Sequence, residues 1–217
     1  MAHAAAGDGP SRIVIADGDV DTAEIAEFER DRRALLRRGL QLGGAAIAAS
    51  SIPLLWSARN AFAEAKGDTA ILGRAINLEQ VAVLAYDTMI GGGQLSPALT
   101  GVARTFRAHE QEHADRLTTA LTDLGGTPPP APQGIADVEK VVKGLNDAKS
   151  QADVVNFAIE LETAVVAAYL DAQRELVEAK LLQTGASIMA SEGQHLVVLR
   201  RAVGKDPVPA AFETGAQ

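Results

Sequence analysis

Asn77-Leu78-Glu79-Gln80-Val81-Ala82-Val83-Leu84-Ala85-Tyr86 aligns without a gap on Glu160-Leu161-Glu162-Thr163-Ala164-Val165-Val166-Ala167-Ala168-Tyr169. Each segment places a Glu in an aliphatic run and a Tyr seven residues later. Downstream, Glu110-Gln111-Glu112-His113 is answered by Glu192-Gly193-Gln194-His195, so that E-x-x-H also occurs twice. The spacing repeats as well: 31 residues separate Glu79 from Glu110, and 30 separate Glu162 from Glu192. The chain is therefore built from two copies of one unit, each with a lone Glu followed by an E-x-x-H.

Around these segments the apolar residues recur with a helical period four times, and no convincing alternating run appears after Asp68. Helix A is expected over Asp68 to Ile90, stopped by Gly91-Gly92-Gly93, and helix B from Pro97, behind a Ser96 cap, to just before Gly125-Gly126. Thr127 to Gly134 holds four prolines and cannot be helical, and Ile135 to Asp147 reads as a short amphipathic helix within a long crossover. Helix C follows from about Ser150 to the mid 170s, and helix D from about Ala179 to Val203, with Gly204 past its end. The expected fold is all-α, a four-helix bundle with one long B-to-C connection.

On a helical projection, Glu79 shares a stripe with Leu72, Ile76, Val83, Tyr86 and Ile90. Glu110 and His113 fall with Ala103, Phe106, Leu117 and Leu121. Val155, Ile159, Val165, Val166 and Tyr169 flank Glu162, while Met189, Leu196, Leu199 and Val203 flank Glu192 and His195. Glu112 and Glu160 fall on the outer faces. Equal distance from an antiparallel turn means equal depth, and the midpoint of Glu79 with Glu110 to His113 lies near residue 95, in the Gly-rich turn. In the second half it lies near residue 178, where the C-to-D turn is expected. Six ligand-type side chains thus converge at one level of an apolar bundle.

Four buried carboxylates at one depth repel one another and cost several kcal/mol each when unpaired. Two divalent cations carry the four positive charges that balance them, and a neutral imidazole completes each ligand set. A Glu from each of two helices with an E-x-x-H from each of the other two is the di-iron or di-manganese carboxylate arrangement of such bundles. From about residue 68 to residue 204 the chain resembles the ferritin-like superfamily, and looks most like its exported bacterial ferritin-like domain members.

The resemblance implies that Glu79 and Glu162 are the single carboxylates of the first and third helices. It makes Glu110 and Glu192 the bridging carboxylates, and His113 and His195 the nitrogen ligands. Tyr86 and its symmetry mate Tyr169 match a tyrosine that sits beside the site and is assigned a catalytic part. The implied cofactor is two Fe ions, or two Mn ions. The implied activity is oxidoreductase chemistry on Fe(II) with O2 or peroxide, and manganese would instead suit catalase-like disproportionation. A second reading is a bundle whose metal only stabilises a stress-protective or structural fold. A third comes from His109-Glu110-Gln111-Glu112-His113, which also reads H-E-x-x-H, the zinc-peptidase signature. That reading leaves Glu79, Glu162, Glu192, His195 and the repeat unexplained.

The 217 residues divide at residues 63 and 64, into a leader and a bundle domain. Adjacent Arg32 and Arg33 precede Leu35-Leu36, residues 39 to 56 carry no charge, and Ala61-Phe62-Ala63 supplies small residues at A-x-A spacing. This order resembles a twin-arginine signal and implies export of a folded protein to the periplasm, cell envelope or medium, with the translocase as a partner. A membrane enters only through an uncleaved signal. Metal ions and O2 or peroxide are the other partners, with a homodimer compatible with the bundle. The whole chain has a formal charge of −8, which argues against nucleic acid. Cysteine is absent, and with it thiolate metal sites, disulfides and cysteine nucleophiles.

Overall fold

A computed structural model describes residues 67–215. The leader, the arginine pair and the A-x-A stretch lie outside the described residues. Among the described residues there are five helices and no strand: α1 (Asp68–Gly91), α2 (Pro97–Asp123), α3 (Ile135–Val141), α4 (Gln151–Ala172) and α5 (Ala179–Ala202). α1 packs with α2 and α4 with α5 as two helical hairpins, and α1 meets α4 while α2 meets α5. The crossover helix α3 lies against α1. None of these helices is long and apolar enough to cross a membrane.

The helix ends follow local chemistry. The Ser96 hydroxyl accepts from the Leu99 amide ahead of α2, and Pro97 opens that helix. Ser150 and Asp153 form a reciprocal capping box at α4. α2 and α5 both close on a left-handed glycine. Gly125 and Gly204 have φ of 75° and 74°, and the amides of Gly126 and Lys205 return to the carbonyls of Leu121 and Arg200.

The sequence places no Gly or Pro between α4 and α5, so nothing local marks that turn. The structure supplies a distant anchor, because the Asp68 carboxylate at the start of α1 accepts from the amides of Val177 and Glu178 at 2.9 and 3.0 Å. The first hairpin is tied in the same way: the Ser96 amide donates to Gln151 Oε1, at the start of α4, at 2.8 Å. The turn of each hairpin is thus held by the first residue of the other, and the internal repeat extends to these ties.

α3 is shorter than its periodicity suggests. It ends at Val141, with Val142 extended. The reason is Glu139, whose carboxylate takes the amides of Gly144 and Asn146 at 3.0 Å each, with Gly144 at φ 110°. Those donors complete a loop instead of further helical turns. Val138, Val142 and Leu145 still reach the core and pin the crossover to the bundle.

Two apolar clusters fill the bundle interior. One holds Tyr86, Phe106, Ile159 and Leu196, and the other holds Ile71, Ile76, Leu117, Leu121 and Tyr169. Ile90, Met189 and Val203, expected on the inner stripes, are only half-buried at the margins of these clusters, and Val83 is half-buried as well.

Candidate metal centre

Between the two apolar clusters sits a polar core. Glu79, Glu110, Glu162 and Glu192 have no exposed surface, His195 is 2% exposed, and only the His113 side chain, at 14%, reaches solvent. Glu112 and Glu160 are exposed, as expected from their helix faces.

His113 Nδ1 lies 3.0 Å from Glu192 Oε1, 3.4 Å from Glu110 Oε2 and 3.6 Å from Glu79 Oε2. His195 Nδ1 lies 2.8 Å from Glu192 Oε2, 3.2 Å from Glu110 Oε1 and 3.3 Å from Glu162 Oε1. Glu110 and Glu192 therefore each turn one oxygen to either imidazole, whereas Glu79 and Glu162 each serve one side. Two overlapping groups result, each with its ligand atoms within 4.8 Å of one another and able to hold a metal ion: Glu79, Glu110, His113 and Glu192, and Glu110, Glu162, Glu192 and His195.

Unsatisfied atoms mark the same place. Among the described residues eleven buried side-chain atoms have no hydrogen-bond partner, and eight of them are here: Glu79 Oε2, both oxygens of Glu110 and of Glu192, Glu162 Oε2, and Nδ1 of His113 and His195. Buried polar atoms are nearly always paired in folded proteins, so a cluster of orphans needs an absent partner. Anionic oxygens and imidazole nitrogens around a shared centre suit a metal cation.

The tyrosines brace the outer carboxylates crosswise. Tyr86 of α1 donates to Glu162 Oε1 of α4, and Tyr169 of α4 donates to Glu79 Oε1 of α1. Burial above all, and then the neighbouring carboxylates, raise both phenols well above their ordinary range. They remain protonated donors.

Electrostatics of the bare ligand set show the same strain. Burial, reinforced by neighbouring carboxylates, pushes Glu79 and Glu162 well above the usual carboxyl range. At His113 and His195 burial works against the proton, but the facing carboxylates outweigh it and push each imidazole up to about 12. Glu192 is buried too, yet the two imidazoles bring it down to about 2.

His109 enters the site by a route the repeat conceals. Its Nδ1 lies 3.0 Å from His195 Nε2, the nitrogen turned away from the carboxylates. Neither metal-holding group among the described residues includes His109, whose Nδ1 faces His195. The signal in the sequence was a break in symmetry: the position that repeats His109 in the second half is Ser191. Outside His109 and His113, a cleft of about 650 Å³ opens between α2 and α5.

The sequence profile of the ferritin-like domain family matches residues 67–205. The chain belongs to the ferritin-like domain family. Its fold is similar to the crystal structure of a conserved hypothetical protein from Mycobacterium tuberculosis, with a TM-score of 0.55 and 18% sequence identity over 73% of this chain and 99% of that one. No curated protein matches the chain. The family accounts for the bundle, and the Glu and His cluster makes this member a candidate metal binder.

Proposed function

We propose that this ferritin-like protein is an exported di-metal carboxylate oxidoreductase that acts on Fe(II) with O2 or peroxide. The observation that carries the reading is the division of the eight orphaned atoms, four to each imidazole's side, across Glu110 and Glu192. One ion would be held by Glu79 and His113, the other by Glu162 and His195, with Glu110 and Glu192 shared.

When two iron ions are bound they supply one electron each, enough to reduce peroxide with two protons to two waters, or O2 with two protons to peroxide. The chain's own residues set the conditions. Full burial of the four glutamates excludes bulk water and strengthens every charge interaction among them. The two oxygens of Glu110 and of Glu192 lie toward different imidazoles, so each carboxylate can span the centre or swing to one side as its charge changes. Tyr86 and Tyr169 hold protons at Glu162 Oε1 and Glu79 Oε1, where they can serve as donors for oxygen chemistry.

Stopped-flow mixing of anaerobically Fe(II)-loaded protein with O2 or peroxide tests the proposal. Oxidation of about two Fe(II) per chain, faster than that of free Fe(II), is the expected result. Stable binding of two ions without turnover would assign the metal a structural part instead. Disproportionation of peroxide by the manganese-loaded protein alone would move the activity to the catalase class.

A further inference from the structure

The two halves of the centre repeat in sequence but not in surroundings. On one side the His195 ring is 2% exposed, Phe106 stacks on it with centroids 3.9 Å apart, and His109 stands at its Nε2. On the other side His113 looks into the α2/α5 cleft, and so does Ser191, which occupies the position equivalent to His109. A neutral imidazole that offers Nδ1 to a cation carries its proton on Nε2. A hydrogen bond from that N–H sets the tautomer, orients the ring and raises its basicity as a ligand. His109 Nδ1, 3.0 Å away, is placed to accept a hydrogen bond from that N–H, and the residue stands between His195 and the cleft, which it also lines.

We propose that the centre has one closed and one open subsite: the ion on His195 is sealed by Phe106 and positioned through His109, while the ion on His113 exchanges through the cleft and takes the external ligand there. Arg116 and Lys180 on the cleft walls outnumber the one acidic lining residue, Glu112, and with the hydroxyls of Thr184 and Ser187 they suit a small hydrophilic molecule that carries negative charge. His109 is a positioning residue in this scheme. The assignment rests on the di-metal reading above.

The test uses the full chain loaded with Co(II), extracted with a chelator and followed by the visible absorption of the remaining ion. Two phases of one ion each are expected, and crystals taken after the fast phase should keep their anomalous peak beside His195. His109→Ala should weaken retention of the slow ion roughly 10- to 100-fold and leave the fast one unchanged. His109→Asn, whose side-chain oxygen can accept from His195 Nε2–H, should restore much of it, and neither variant should alter the melting temperature of the metal-free chain by more than a few degrees. Azide, as a small anionic probe, should bind the ion beside His113, with roughly tenfold weaker affinity when Arg116 and Lys180 are both replaced by Ala. A residual ion beside His113, azide on the ion beside His195, or slow-phase retention unmoved by His109→Ala would overturn the assignment. Failure of the chain to take up any ion would refute the di-metal reading itself. In that case, proton exchange of the imidazole N–H groups, slow at His195 and fast at His113, still decides between closed and open sides, and equal exchange would end the proposal.

Discussion

Lowering the pH should strip metal from this centre far more steeply than from a patch of exposed carboxylates. In the metal-free chain His113 and His195 hold protons up to about pH 12, and burial keeps Glu79 and Glu162 protonated well above their usual range of 4.5. Two divalent ions need these ligands bare, so loading must release about two protons from the imidazoles and up to about four if both carboxyls give theirs. Each proton released makes the loading constant tenfold larger per pH unit. The expected gain between about pH 6 and 7 is therefore roughly 10²- to 10⁴-fold, or about 3 to 5 kcal/mol. Chelator-competition titrations with Mn(II) at about pH 6, 7 and 8 would read this slope, and calorimetry in buffers of different ionisation enthalpy would count the protons. A slope below about one proton per centre would refute the reasoning, since four carboxylates and two imidazoles at these distances cannot be accommodated without compensating protons.

The metal-free fold should respond to pH in the opposite direction. His113 and His195 are raised from 6.5, so their contribution to stability is complete below that value and is lost as pH rises toward about 12. Raised carboxyls at Glu79 and Glu162 likewise make stability fall above 4.5. Glu192, lowered to about 2, contributes above 4.5 and loses its contribution as pH falls through about 2. Metal-free protein should melt higher near about pH 5 than near about pH 8, and loading should reverse that order, as differential scanning calorimetry would show. Glu110→Gln or Glu192→Gln should weaken both ions, and Glu192→Gln should also destabilise the metal-free fold, because both buried imidazoles lose the carboxylate that faces them; Glu79→Gln or Glu162→Gln should cost one ion, by metal analysis. Tyr86→Phe or Tyr169→Phe should keep both ions, slow Fe(II) oxidation, and destabilise the metal-free chain by about 1 to 3 kcal/mol, because a buried carboxyl loses its donor. Arg32→Lys with Arg33→Lys should strand the protein in the cytoplasm, and normal export on fractionation would remove the twin-arginine assignment.

The bundle was legible because its information is periodic and duplicated. The stripes around Glu79 and Glu162, the Ser96 cap and the glycines at 125 and 204 each act within a few residues of chain. The six Glu and His side chains that could hold metal were legible for the same reason, as carboxylates and imidazoles that repeat on apolar faces. The rest depends on distance. Asp68 fixes a turn more than a hundred residues away, so no local rule marks residues 173–178. Glu139 ends α3 early by bonding to amides beyond it, which an amphipathic pattern does not reveal. His109 shows how one motif can mislead: beside Glu110 it completes H-E-x-x-H, but the geometry of the bundle turns its Nδ1 to His195 on another helix.

Metal content and position in natively purified protein test the central claim most directly. Two iron or manganese ions per chain are expected, with anomalous-scattering peaks between Glu110 and Glu192, one beside each imidazole. A folded, fully metal-free protein with the four glutamates open to water would contradict it.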